Sequence, residues 1–210
     1  MTTRKERQAR TREALLHSAA AIAAQRGIEG ASLHAVAQAA GLTKGAVYAN
    51  FDSKEELFLA MLDAHFAERL AEIDRILSTD ADPDEQARQA AEGMMRVLAE
   101  DPEWHRLFFE FAVHAARNEG FREQLVARYR SLRERLADLL AERVERLGID
   151  PVVPPAEVAA MAFAMANGMA LERLLEPEAV PDTLFGEMMA TFFIGLRARA
   201  GVQPPPEGRT

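Results

Sequence analysis

Apolar residues recur three and four positions apart along most of the chain, which is the spacing of one face of an α-helix. The longest apolar stripe begins with Leu57, Phe58 and Met61 and continues to about residue 77. No stretch shows the strict alternation typical of β-strands. The pattern therefore predicts an all-α chain of about nine helices. They cover about residues 8–25, 32–39, 43–48, 54–77, 83–100, 102–118, 121–147, 155–175 and 182–200.

The predicted helices are separated by residues that end or begin a helix. Gly27 and Gly41 follow apolar stripes, where the left-handed end of a helix costs least as glycine. Asp82–Pro83 and Asp101–Pro102 each combine a capping side chain with proline at the first helical position. Residues 1–7 are polar and basic and are expected to be mobile. The proline-rich tail, residues 201–210, is expected to be disordered.

The segment 32–51 predicts two short helices around Gly41. Ser32 caps the first helix and Thr43 caps the second. Small or branched apolar residues on the inner side let the two helices cross closely. This is the pattern of a helix-turn-helix, which places the start of its second helix in the major groove of DNA. Directly behind it, Ser53 and Glu56 have the spacing of a capping box and predict the start of the long fourth helix.

Charge is distributed unevenly along the chain. The net charge of −8 at first argues against a nucleic-acid partner. Residues 1–54, however, hold eight Lys/Arg against four Asp/Glu, whereas the remainder holds 17 against 29. A basic head that carries a helix-turn-helix, followed by an acidic body, favours a DNA-binding end and a body repelled from DNA.

Composition excludes several classes of protein. Apolar residues make up 49% of the 210 residues, enough for a substantial core, and there is no cysteine for a disulfide framework or a thiolate metal site. The five histidines do not fall into a metal-binding spacing, and no phosphate-binding glycine loop or nucleophile elbow is present. No apolar run is judged long enough to span a membrane, and the charged N-terminus lacks a signal core. We therefore predict a cytoplasmic protein that is not an enzyme, with no cofactor, no metal and no membrane partner.

The segment 11–62 resembles the TetR family of bacterial transcriptional regulators. The matching residues are Thr11-Arg12-Glu13, Ala19-Ala20, Gly27, Ser32, Val36-Ala37, Ala39-Ala40-Gly41, Lys44-Gly45, Val47-Tyr48, Phe51 and Ser53-Lys54-Glu55-Glu56-Leu57. The nine-helix layout is also similar to that family over nearly the whole chain. The resemblance implies a homodimer that binds a two-fold symmetric operator, and a C-terminal domain that dimerises through its last two helices and binds a small effector. It implies residues 1–54 as the DNA-binding domain and 55–200 as the ligand-binding and dimerisation domain.

The resemblance and the helix-turn-helix pattern together give a set of expected DNA contacts. The start of the second short helix is expected to read DNA bases, and the residues around it are expected to contact phosphates. For His34, a solvated side chain without a DNA contact is an equal alternative. The set is Ser32, His34, Thr43, Lys44, Gly45, Ala46, Tyr48, Asn50, Ser53 and Lys54. Three positions depart from the family pattern: Ala31 where threonine is frequent, Ala35 where an acid is common, and Asn50 where histidine is usual.

The sixth helix carries an aromatic stripe and a polar pair. Such a stripe is more often core, but methionines on helices expected nearby favour an apolar pocket. Glu110 is interpreted first as a helix-face partner of His114 or a neighbouring arginine, and alternatively as an anchor for a cationic effector. The expected pocket residues are Met94, Trp104, Phe108, Glu110, Phe111, His114, Met161 and Met165.

Small residues alternate with large apolar ones in the eighth helix, which permits close approach of another helix. A buried core helix is the alternative, and we favour a four-helix dimer interface with the ninth helix. The expected interface residues are Ala162, Ala166, Met169, Met189, Phe192, Phe193 and Leu196.

The sequence thus predicts a homodimeric repressor that an apolar or lipophilic cationic small molecule releases from its operator. Two alternatives remain open at this stage. One is a small-molecule carrier or enzyme built on a helical bundle. The other is a DNA-binding regulator that responds to no effector, including an activator.

Overall fold

The computed structural model describes residues 3–79, 81–100 and 102–201, except for the side chains of residues 83, 84, 94, 97–100, 102 and 103. Over these residues the chain is all-α, as predicted, with nine α-helices and a short 3-10 helix between the last two. The helices are α1 (Arg4–Gly30), α2 (Leu33–Ala39), α3 (Lys44–Tyr48), α4 (Lys54–Leu77), α5 (Pro83–Glu100), α6 (Pro102–Arg117), α7 (Glu119–Arg146), α8 (Pro155–Leu175) and α9 (Leu184–Arg199). The expected disordered tail lies outside the described residues, apart from Gly201.

The helices form two compact units. The first contains residues 1–68 and 101–129, and the second contains residues 69–100 and 130–210. Helices α4 and α7 each contribute residues to both units. The helix-turn-helix therefore shares its compact unit with α6, a division that differs from the predicted boundary at residue 54.

The first helix begins earlier than predicted. Thr3 caps it, because the Thr3 hydroxyl accepts the backbone N–H of Glu6 at 3.2 Å and the Glu6 carboxylate accepts the N–H of Thr3 at 2.8 Å. This reciprocal pair is a capping box, which satisfies two backbone donors that a helix start otherwise leaves free. The prediction that residues 4–7 are mobile and that the helix starts near Gln8 was therefore wrong.

The C-terminal end of α1 is bent at Gly27, where φ is 69° and ψ is 171°. This backbone region is open essentially to glycine alone. The Glu110 carboxylate of α6 accepts the N–H of Ile28 at 2.8 Å, directly after the bend. The Arg106 side chain donates to the carbonyl of Ala24 one turn earlier. Two side chains of α6 thus fix the end of α1.

The two short helices have the predicted caps. The Ser32 hydroxyl accepts the N–H of Ala35 at 3.1 Å, and the Thr43 hydroxyl accepts the N–H of Ala46 at 3.2 Å. Gly41 has the expected positive φ of 66° between them. The inner faces of α1 to α4 and α6 meet in one continuous core. Its fully buried large side chains include Leu15, Val36, Val47, Phe51, Leu57, Phe58, Leu62, Leu107 and Phe111.

The start of α4 differs in one detail from the predicted capping box. The Ser53 hydroxyl accepts the N–H of Glu56 at 3.0 Å, as expected. The Glu56 carboxylate, however, accepts the N–H of Asp52, at 2.6 Å, where a capping box would use that of Ser53. The carboxylate therefore also fixes the turn that joins α3 to α4.

In the second unit, side chains of α5 and α7 satisfy carbonyl groups at the end of α4. The buried Gln86 amide donates to the carbonyls of Ile76 at 3.2 Å and Thr79 at 2.9 Å. Arg146 donates to the carbonyl of Leu77 at 2.8 Å. The carbonyls of Ile76 and Leu77 belong to the last turn of α4, where no backbone N–H within the helix is left to donate to them, and Thr79 follows that turn. The end of α4 is consequently well defined.

Helix α8 is more apolar than the sequence reading allowed. It is the one helix in the described part of the chain that is long and apolar enough to cross a membrane by length and composition alone, with a mean hydropathy of 1.3 over its best window. The statement that no apolar run approaches that length was therefore wrong. Only 17% of the window is buried within the chain, and the other residues of α8 are half-buried or exposed.

We predict that alanine destabilises the protein more at Gly27 than at Gly41. Both glycines have positive φ, 69° and 66°, which costs other residues about 1–2 kcal/mol. A Cβ at Gly41 would meet nothing within 4 Å, whereas one at Gly27 would lie 2.9 Å from the Glu110 carboxylate. Displacing that carboxylate breaks its hydrogen bond to the Ile28 N–H. The Gly27 variant should therefore lose about 1 kcal/mol more unfolding free energy than the Gly41 variant. Urea unfolding of both variants measures the difference, and equal losses would contradict the proposed role of Glu110.

Candidate DNA interface and effector site

Helix α3 presents an exposed polar surface formed by Lys44 and Tyr48. The Lys44 ammonium lies 5.6 Å from the centre of the Tyr48 ring, within the range of a cation–π contact. Tyr48 is 49% exposed, so its ring lies outside the core. The ring orients the lysine at the start of the helix, where it adds to the positive end of the helix dipole. Both polar ends thus remain free to contact an anion.

The absence of a side chain at Gly45 of α3 is not required by packing within the chain. A Cβ built on Gly45 would meet only the Thr43 hydroxyl, at 3.8 Å, which is ordinary van der Waals contact. Gly45 is exposed and Ala46 is half-buried. The folded chain therefore does not require glycine at position 45. A partner that approached the backbone of α3 closely would require it, because a side chain there would be in the way.

Two of the expected phosphate contacts are already engaged within the protein. The Asn50 amide donates to the carbonyl of Ala46 at 2.8 Å, and the Lys54 ammonium donates to the carbonyl of Glu29 at 3.0 Å. Each group keeps further N–H donors, since an amide has two and an ammonium three. Lys54 therefore joins the start of α4 to the end of α1, a structural role that the sequence did not indicate.

The remaining expected contacts lie around these helices. His34 is exposed on α2. The hydroxyls of Ser32 and Ser53 both act as helix caps, and each can still donate its own proton to a phosphate. The first unit thus brings all ten predicted DNA-contacting residues together, on α2, α3 and the start of α4.

The sequence reading missed residues of α1 that lie beside this surface. Arg12 places its guanidinium 4.6 Å from the centre of the Phe51 ring. A crevice of about 310 Å³ lies between the first turns of α1 and the residues that follow α3. The Thr3–Glu6 spacing was the available signal, because recognising that capping box would have extended α1 to include Lys5.

The aromatic residues expected in the effector pocket occupy α6 in the first unit, in different environments. Phe111 is fully buried in the core, and Trp104 is buried and stacks on His65 with ring centres 3.9 Å apart. Phe108 is only partly buried and stacks on Tyr129, with ring centres 5.8 Å apart. Phe108 is therefore only partly enclosed, whereas Phe111 serves packing.

Phe66 lies beside Phe108 and Tyr129 and is also partly buried. Its ring lies edge-on to Phe108 at 6.5 Å and to Tyr129 at 6.1 Å. The three partly buried rings form what we call the aromatic cluster. Such an arrangement binds apolar groups through contact area and cations through the ring faces.

The polar pair of α6 has a structural role with partners other than those expected. Among the described residues Glu110 makes no hydrogen bond to His114; it bonds to Ile28 and lies 4.0 Å from Arg106. The His114 ring meets Phe121 edge-on, with centres 4.8 Å apart. The structural interpretation of Glu110 is therefore favoured over an effector anchor.

The methionines expected in the pocket lie in the second unit. Met161 is 42% exposed on α8, and Met165 is half-buried. The side chain of Met94 lies outside the described residues. Each unit thus carries a part of the expected set.

The expected dimer surface is largely accessible in the single chain. Ala162, Ala166 and Met169 of α8 and Phe192, Phe193 and Leu196 of α9 are all half-buried. Met189 differs from the expectation, since it is only 8% exposed and packs within its own unit. Other large apolar side chains of these helices are exposed, namely Met161, Leu171, Leu174, Leu175, Leu184 and Ile194.

Comparison with known proteins identifies both parts of the chain. The family described as bacterial regulatory proteins, TetR family, matches residues 15–61, and the family described as BetI-type transcriptional repressor, C-terminal, matches residues 83–196. The HTH-type transcriptional regulator YfiR of Bacillus subtilis is 27% identical over 181 residues, which cover 85% of this chain and 87% of YfiR.

Solved structures share the fold. A transcriptional regulator from Rhodococcus sp. Rha1 has a TM-score of 0.71 at 26% identity, covering 92% of this chain and 99% of its own. The regulator FadR of Bacillus subtilis, solved in complex with stearoyl-CoA, has a TM-score of 0.71 at 14% identity, covering 87% of this chain and 97% of its own. At that identity the likeness to FadR shows the fold alone.

We predict that Tyr48→Phe weakens binding to duplex DNA. The substitution removes only the hydroxyl and leaves the ring beside Lys44, so the loss is about 1.5–3 kcal/mol for each phosphate contact removed. Because phosphate contacts carry no sequence information, the loss should be equal on any duplex. Fluorescence anisotropy of labelled duplexes measures it. Unchanged affinity, with an unchanged unfolding midpoint, would remove Tyr48 from the interface.

Proposed function

The chain belongs to the TetR family of bacterial transcriptional regulators, and on this premise we propose that it is a homodimeric repressor released from a symmetric operator by an apolar or lipophilic cationic effector. The observation that carries the proposal is the single compact unit that holds both the helix-turn-helix and the aromatic cluster. Regulators of this family bind DNA and small molecules and are not enzymes. The protein would accordingly act in the cytoplasm.

The DNA-reading element of the proposal is α3. Lys44 and Tyr48 are exposed on it, and Gly45 leaves the backbone uncovered. A recognition helix contacts bases with its N-terminal residues and phosphates with the residues around it. The surface on α3 fits the same division, because the small residues Gly45 and Ala46 lie between Lys44 and Tyr48, which can each donate a hydrogen bond to a phosphate.

The effector site of the proposal is centred on the aromatic cluster. Its rings are only partly buried, which is unusual for side chains that dominate protein cores. Pockets for drug-sized ligands are lined mainly by apolar and aromatic side chains. FadR, which shares this fold, was solved with stearoyl-CoA. We therefore propose a ligand with a large apolar part.

A route from effector to DNA runs along α6. Phe108 belongs to the aromatic cluster, while Arg106 and Glu110 hold the end of α1 through Ala24 and Ile28. A ligand that prefers a shifted α6 would also shift α1, which packs directly on α2. Only a difference in affinity between the two arrangements moves the equilibrium.

Dimer formation through α8 and α9 would cover the exposed apolar side chains of these helices. A patch of this kind on a soluble protein marks an interaction surface. The small residues Ala162 and Ala166 permit close approach of a partner helix. A two-fold symmetric assembly presents two heads to successive major grooves, about 34–36 Å apart.

The first test of the proposal is the oligomeric state. Wild-type protein is expected to sediment as a dimer at micromolar concentration. Ala166→Glu is expected to yield monomers or aggregates, because a charge buried without a partner is costly. Ala116→Glu, the same change at an exposed position of α6, is the matched control and should stay dimeric. A monomeric wild type would overturn the dimer and the symmetric operator together.

The second test is a titration with long-chain acyl-CoA thioesters and lipophilic quaternary ammonium compounds. A compound bound at the aromatic cluster should change the emission of Trp104, the single tryptophan. It should weaken DNA binding in the same samples by about 1–3 kcal/mol of coupling. Phe108→Ala should weaken both responses. Saturable emission changes with unaltered DNA affinity would overturn the switch and leave the DNA-binding assignment intact.

A further inference from the structure

The crevice beside α3 has no role in the interactions described so far. Its volume is about 310 Å³, and it is lined by Lys5, Gln8, Ala9, Arg12, Ala49 and Asn50. Four of these residues belong to α1, and two follow α3 directly. Two lining residues are cationic, two are amides, and none is acidic. The lining is therefore chemically suited to an anion.

The α1 side of the crevice is a single helical face. Lys5, Gln8 and Arg12 are three and four residues apart, so their side chains lie one above another. This arrangement requires the first turn of α1 to be formed, and the capping box between Thr3 and Glu6 forms it. In that cap the Glu6 carboxylate accepts the N–H of Thr3.

Contacts within the protein hold one residue on each side of the crevice, Arg12 on α1 and Asn50 after α3. The Arg12 guanidinium rests over Phe51, whose ring is 1% exposed and belongs to the core. The Asn50 amide is held by the carbonyl of Ala46. A cation and an amide held in place lose little conformational entropy when they bind a ligand.

We propose that this crevice binds a phosphodiester of the DNA backbone next to each half-site, apart from the contacts of α3. The inference rests on the proposed function. Asn50 comes two residues after the last residue of α3, and a helix in the major groove has phosphate backbone on both of its sides. Such contacts position a protein on DNA without reading its sequence. The crevice therefore raises affinity for every duplex and lengthens the bound site.

The test compares two variants with the same change in charge. Lys5→Gln removes a cation from the crevice, whereas Arg7→Gln removes one from an exposed position two residues away, which points to the other side of α1. Binding to a random-sequence 40-bp duplex is measured by anisotropy between about 50 and 200 mM salt. We expect Lys5→Gln to reduce the slope of log K against log salt by about 0.9 for each crevice occupied. Arg7→Gln should leave the slope close to that of wild type.

Each other outcome overturns the inference in an identifiable way. Equal slope changes in the two variants would mean that only net charge matters, and no change in either would remove the crevice from the interface. A third outcome combines two measurements. Millimolar sodium phosphate raises the unfolding temperature of wild type but not of Lys5→Gln, relative to NaCl at equal ionic strength, while Lys5→Gln leaves the salt slope of DNA binding unaltered. The crevice would then be a site for free phosphate and not for the DNA backbone. Failure of wild type to bind the duplex would refute the proposed function itself, whereas duplex binding without a Lys5 effect refutes the inference alone.

Discussion

The hydrogen bond from Ile28 to the Glu110 carboxylate is the contact on which the arrangement of the first unit depends. It joins residues 82 positions apart and lies next to the one internal position of α1 with a non-helical backbone, Gly27. A donor left unpaired in a partly buried place costs about 1–3 kcal/mol. Glu110 satisfies that donor, and Arg106 anchors the preceding turn. Helix α6 thereby fixes where α1 ends and where the helix-turn-helix begins.

Local signals explain why so much of the fold was predictable. Ser32, Thr43 and Ser53 each accept the backbone N–H three residues later, so their effect depends only on neighbours in sequence. The limits of α4, α5 and α8 agree with those expected from apolar period, proline and glycine. The early start of α1 was missed because its basic, polar first residues were interpreted as mobile, although the capping box was present.

Contacts between distant segments were beyond such reasoning. Nothing near Glu110 in sequence indicates that its partner is Ile28, and nothing near Lys54 indicates the carbonyl of Glu29. How deeply an aromatic residue is buried is equally hard to predict from sequence. Phe108 and Phe111 are alike in sequence pattern, yet only Phe111 is enclosed by the core. The ten expected DNA contacts lie in one local motif, so sequence alone can place them near one another. The expected pocket residues belong to several helices, whose packing the sequence does not specify.

Helix α1 has distinct roles at its two ends, and this bears on how a repressor could be released. Its first turns carry Lys5 and Arg12 at the crevice, and its last turn is held by Glu110. Since α1 is continuous up to Gly27, a shift of α6 at one end would move Lys5 and Arg12 relative to Asn50 at the other. Phosphate bound in the crevice and the contacts of α6 with the end of α1 would then favour the same arrangement of α1. By linkage, an effector that displaced α6 would lower affinity for DNA, and DNA would lower affinity for the effector by the same factor.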